Sequence, residues 1–168
     1  MDDGATVNAA SQRGLEGLGE ELARRALERA APDELLTFDL VVEDYRADPA
    51  GALTRSSGDP AVGFGLDLAA LAPFALAVAS AVVPFIADLL RESAAEAAKT
   101  GVGEALRRLF HHADTARRGA DDPPPLTPEQ NAQVFDAATQ QGLALGLDRE
   151  RATLLGHAIV GALAVAPG

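Results

Sequence analysis

Twenty consecutive residues without a charge, LAALAPFALAVASAVVPFIA from Leu68 to Ala87, lie between Asp67 and Asp88. Such a run has two stable destinations. A helix needs about 20 apolar residues to cross the hydrocarbon core of a bilayer. Otherwise a helix that is apolar on every side is stable only where protein covers it. Eight alanines, Pro73 and Pro84 weaken the drive into lipid. Burial inside a domain or at an oligomer interface is therefore the favoured reading, with a membrane span as its alternative.

Two pairs of small residues in this run, Ala75/Ala79 and Ala77/Ala81, sit at the four-residue spacing that lets helices approach closely. With Phe74 and Phe85 they are the candidate helix-packing and interaction residues. Basic residues gather on the C-terminal side, at Lys99, Arg107, Arg108, Arg117 and Arg118. In the membrane alternative, Lys99, Arg107 and Arg108 are candidate contacts to anionic head groups, and the positive-inside rule puts the C-terminus in the cytoplasm. That topology would export an acidic region of 67 residues whose first thirteen, MDDGATVNAASQR, resemble neither a signal peptide nor a transit peptide. These thirteen residues read as a loose tail.

Before the run, Leu15, Leu18, Leu22 and Ala26 recur at helical spacing, and Glu20/Arg24, Glu21/Arg25 and Arg24/Glu28 are opposite charges four apart. An amphipathic helix follows from both, ending at Pro32. Leu36, Phe38, Leu40 and Val42 then alternate with Thr37, Asp39, Val41 and Glu43, which predicts a half-buried strand. Arg46 to Pro60 reads as a loop. Val62, Phe64, Leu66 and Leu68 alternate with Gly63, Gly65 and Asp67 as a second strand.

Beyond the apolar run, TARRGADDPPPL (115–126) predicts an extended linker, because consecutive prolines exclude a helix. Thr127 as N-cap, Pro128 at the first position and Gln130 three residues after the cap open a further helix. Val134, Phe135, Ala138 and Leu145 form its apolar face. A break at Gly146–Leu147 and a cap at Asp148 start another helix, with Leu155, Ala158, Ile159 and Ala162 as its stripe. Together these make an αα-hairpin.

The expected fold is thus mostly α with a minor β component. A tail (1–13) precedes a small α+β region (14–114), made of an N-terminal helix, two short strands and a long apolar helical segment (69–110). The proline-rich linker (115–126) and the C-terminal helical hairpin (127–168) follow.

Zero cysteines exclude disulfides, thiolate metal sites and a cysteine nucleophile. A net charge of −11 opposes binding to phosphate backbones, so no nucleic-acid partner is expected. ALGLDRERATLL resembles a helix-turn-helix in its spacing. Gln141, however, occupies a position that pattern needs apolar, and residues 121–168 carry two basic against six acidic side chains. It reads as a packing hairpin.

No metal and no cofactor is expected. His111, His112 and Asp114 lack metal-binding spacing, and no glycine pair completes a nucleotide-binding loop. No serine lies in a nucleophile elbow. Glu43/Asp44 and Asp121/Asp122 read as solvated acids.

The expectation is a cytoplasmic, non-enzymatic interaction or accessory protein whose apolar helix, residues 68–90, associates with another copy, a protein partner or a membrane. A single-span or membrane-inserting effector is the alternative. An enzyme with a pocket built from distant residues is the third reading.

Overall fold

A computed structural model of the chain describes residues 3–57, 70–93, 104, 107–108 and 126–164, with side chains of the first helix described from Gly14 onward. Among these residues there are six α-helices, a short 3-10 helix and no β-strand. The helices are α1 (Asp3–Ala30), α2 (Phe38–Ala47), α3 (Pro49–Ser56), α4 (Ala72–Ser93), α5 (Pro128–Ala144) and α6 (Arg149–Leu163), and the 3-10 helix is Pro32–Thr37. The second expected strand, Val62 to Leu68, lies outside the described residues. So do most of the linker (115–125) and His111, His112 and Asp114.

The first expected strand is helical, and the minor β component is overturned there. Its four alternating apolar residues contain an i, i+4 pair, Phe38 and Val42, and only that pair is buried. Leu36 and Leu40 are 91% and 67% exposed. Tyr45, three residues after Val42, continues the Phe38–Val42 face and packs partly buried against the core. The expected loop at 46–60 also contains a helix. Asp48 accepts a hydrogen bond from the Gly51 N–H at 3.0 Å, and Pro49 takes the first position of α3, where its missing N–H costs nothing. At the N-terminus the chain is already helical from Asp3, within the stretch read as a tail.

Helix α4 is the centre of the core. It supplies Phe74, Leu76, Ile86 and Leu90, four of the nine largest fully buried side chains. Each contributes about 1.5–3 kcal/mol through removal from water, so the other helices are organised around it. Helix α1 packs along one side and α5 along another, while α2 and α3 close over a third. Helix α6 pairs with α5 and returns to α1. Leu18, Leu22, Ala26 and Leu27 of α1 and Leu155, Ile159 and Ala162 of α6 join the same apolar cluster.

Approach of α1 to α4 depends on Gly19. A β-carbon there would lie 3.0 Å from the Ser80 hydroxyl oxygen and 3.2 Å from the Ser80 Cα. The start of α4 is held from a distance: the Glu34 carboxylate in the 3-10 helix accepts from the Leu71 N–H at 2.8 Å and the Ala72 N–H at 2.7 Å. A negative charge accepting two otherwise unpaired donors at a helix N-terminus is favourable both as hydrogen bonding and against the helix dipole.

The C-terminal hairpin closes its ends locally. Thr127 and Gln130 form a reciprocal capping box, with Gln130 N–H to Thr127 Oγ1 at 3.2 Å and Thr127 N–H to Gln130 Oε1 at 2.9 Å. Helix α5 ends in a Schellman motif: Leu147 N–H donates to Gly142 C=O and Gly146 N–H to Leu143 C=O, both at 3.0 Å. Gly146 holds the positive φ (95°) that this turn requires. Asp148 then caps α6 by accepting from the Arg151 N–H at 2.9 Å.

Candidate interaction face and groove

Helix α4 is long and apolar enough to cross a membrane by length and composition, yet 72% of its apolar window is buried inside the protein. Its two sides differ sharply. Phe74, Ala75, Ala77 and Ala79, all singled out from the sequence, are buried in the described structure, with Ala75 and Ala79 fully inaccessible. Ala81 is exposed and Phe85 half-buried. Together with Ser80, Pro84 and Asp88 they form one outward strip at i, i+4, i+7 spacing. The small-residue spacing therefore divides: Ala75 and Ala79 face this chain's own core, while Ala81 lies on the outward strip.

Pro84 sits inside α4 and has no N–H to donate to the Ser80 carbonyl four residues earlier. It is itself exposed, so the backbone acceptor it releases belongs to the outward side of the helix. Asp88 forms an ion pair with Arg91 one turn on, and both are exposed. Arg107 and Arg108, candidates for head-group contact, pair with Glu104 at 3.6 and 3.3 Å. Lys99 lies outside the described residues.

Beside the strip, a groove runs between α1 and α2. Two adjoining cavities of about 400 and 450 Å³ make it up, and they share Glu20, Val42 and Arg46. The charges expected to pair within α1 instead reach across it. Only Glu21–Arg25 closes along the helix, at 3.0 Å. Arg24 bridges to Asp39 and lies over the Phe38 ring at 4.7 Å, and Arg46 meets Glu20 at 2.6 Å. A guanidinium on an aromatic face gains electrostatic attraction from the ring quadrupole. These contacts fasten α2 to α1 and set the groove's width.

The larger cavity is bordered by Glu16, Glu20, Tyr45, Pro49, Leu76 and Ser80. Tyr45 is the only tyrosine in the chain, and burial pushes its phenol pKa up. Nothing in the sequence brought Glu16, Tyr45 and Ser80 together, because they belong to three helices. The one available signal was the helical spacing of Phe38, Val42 and Tyr45, masked by the alternation that suggested a strand.

Elsewhere, Glu43 is exposed and Asp44 pairs with Arg55 of α3 at 2.6 Å. His157 lies against Phe135, with ring centroids 4.6 Å apart and planes tilted by 39°. Among the described residues no group of three or more His, Asp or Glu side chains is placed to hold a metal ion. Comparison with protein-family models, curated proteins and solved structures finds no match to this chain.

Proposed function

We propose that the chain is a non-enzymatic interaction protein that docks a protein partner on the outward strip of α4. The observation that carries this reading is the division of one apolar helix into a side fixed by its own chain and a side where Ala81 and Pro84 are exposed and Phe85, packed in part against the core, shows the rest of its ring. The small side chain of Ala81 permits close approach, and Phe85 offers an aromatic anchor of the kind that dominates interface energetics. The −11 charge disfavours a second copy and favours a partner whose apolar contact is bordered by Lys and Arg.

A photo-crosslinking residue at position 81, compared with one at the exposed Leu154 on α6, tests this reading. The expected result is one protein crosslinked at 81 and not at 154, with a basic contact peptide, and lost in Phe85→Glu. Crosslinks between positions 81 of two copies would replace the partner with self-association. Crosslinks to lipid would favour the membrane-inserting alternative, which the length and composition of α4 support and which requires the bundle to open. No strip-specific product at all would end the proposal.

A further inference from the structure

We infer that the cavity between Glu16, Tyr45 and Ser80 is a binding site for a small organic ammonium ion carried on an apolar body. Its volume, about 450 Å³, lies within the range of small-molecule sites. The chemistry around it is one-sided. Leu76, which is 1% exposed, and Val42 give it an apolar floor that belongs to the rigid core, and Pro49 closes one end.

Its polar groups are two carboxylates, Glu16 and Glu20, two hydroxyls that donate or accept, and one guanidinium. The Glu16 carboxylate is exposed and has no ion pair among the described residues. Neither the Tyr45 nor the Ser80 hydroxyl makes a hydrogen bond there. The single cation of this cavity, Arg46, is engaged by Glu20 at 2.6 Å. In the adjoining cavity Glu21, Asp39 and Glu43 outnumber Arg24, so the groove as a whole is negative.

A ligand that satisfies this arrangement must bring donors, a positive charge and apolar surface together. An alkylammonium ion does so: its N–H groups meet Glu16 and the hydroxyls, its charge is balanced by the Glu16 carboxylate with the Tyr45 ring beside it, and its hydrocarbon part covers Val42 and Leu76. An anion would face the unpaired Glu16. A neutral apolar molecule would leave the acceptors desolvated without partners. This site is independent of the docking strip, which it meets only at Ser80.

The groove carries its own reporter, because Tyr45 is the only tyrosine and the chain has no tryptophan. Titrating the full chain with cyclohexylmethylammonium, while following tyrosine fluorescence, is expected to give a saturable change. Cyclohexylmethanol, the neutral analogue of equal shape, is expected to bind at least about fivefold more weakly. Glu16→Gln leaves size and hydrogen bonding nearly intact, removes the charge, and should weaken the ammonium about fivefold with little effect on the alcohol. Tyr45→Leu, followed by amide chemical shifts at Val42 and Leu76, should weaken it to a similar extent. Circular dichroism verifies that both variants remain folded. Equal binding of ammonium and alcohol, an affinity indifferent to both substitutions, or no saturable change would each overturn the inference.

Discussion

The C-terminal hairpin and the region from Pro32 to Ser56 are both made of short helical elements, yet they are held in opposite ways. In the hairpin three of the four helix ends are closed by a cap or glycine turn within a few residues: Thr127 with Gln130, Gly146 in its left-handed turn, Asp148 with Arg151. In the 32–56 region the 3-10 helix and α2 have no side-chain N-cap, and α2 is fastened by distant partners. Arg24 and Glu20 of α1 hold Asp39 and Arg46, while Glu34 reaches forward to the start of α4. The hairpin's boundaries are thus written locally, as is the Asp48 start of α3. Those of the 3-10 helix and α2 exist only once α1 and α4 are in place.

The largest effect that would break this contrast is expected at Phe38, the fully buried anchor of α2. Phe38→Ala should destabilise the protein by about 3–5 kcal/mol in urea unfolding. Phe135→Ala, in the hairpin but only half-buried beside His157, should cost clearly less. Equal losses would mean that α2 depends no more on its anchor than the hairpin does on its aromatic pair.

Next comes the long-range cap. Glu34→Ala removes the acceptor of two backbone donors and should cost about 1.5–3 kcal/mol, with Glu34→Gln recovering part of it. Hydrogen exchange should quicken first at Leu71 and Ala72. If the first amides to quicken instead lay in α6, the link from the 3-10 helix to α4 would be wrong.

Local closure in the hairpin predicts smaller and more confined losses. Asp148→Ala should cost about 1 kcal/mol, and Gly146→Ala about 1–2 kcal/mol from the positive φ alone. Because both lie in one turn, two residues apart, the double substitution should deviate from additivity by about 0.5 kcal/mol or more, while leaving exchange in α2 unchanged.

The smallest effect is a titration. Partial burial raises the Tyr45 phenol pKa in the folded protein. Stability linked to this group is therefore fully present below its unfolded value of about 10 and declines as pH rises through the folded value. The absorbance of tyrosinate should appear at higher pH in the folded chain than in urea, and Tyr45→Phe should remove that part of the alkaline loss. A folded titration at or below the unfolded one would show that the groove leaves the phenol in water.

What the sequence made legible follows the same division. Caps at Thr127 and Asp148 were readable because donor and acceptor are three residues apart, and the apolar run marked α4. Helix α2 was misread because four alternating apolar residues contain an i, i+4 pair, and only a neighbour can decide which of the two patterns is buried. Asp48–Pro49 is a sound helix start, hidden in a stretch rich in loop-forming residues. Which alanines of α4 face inward depends on where α1 lies, and that in turn depends on Gly19 meeting Ser80. The groove was not legible at all, since its walls come from α1, α2 and α4 and carry no motif.

Amide hydrogen exchange of the full chain in detergent-free buffer reads out whether the apolar helix α4 is sheltered by its own chain. The expected result is that amides from Phe74 to Leu90 on the inward side of α4 exchange slowest of all, at the rate of global unfolding. Rapid exchange along α4, or a chain that stays in solution only when detergent or lipid is supplied, would contradict it.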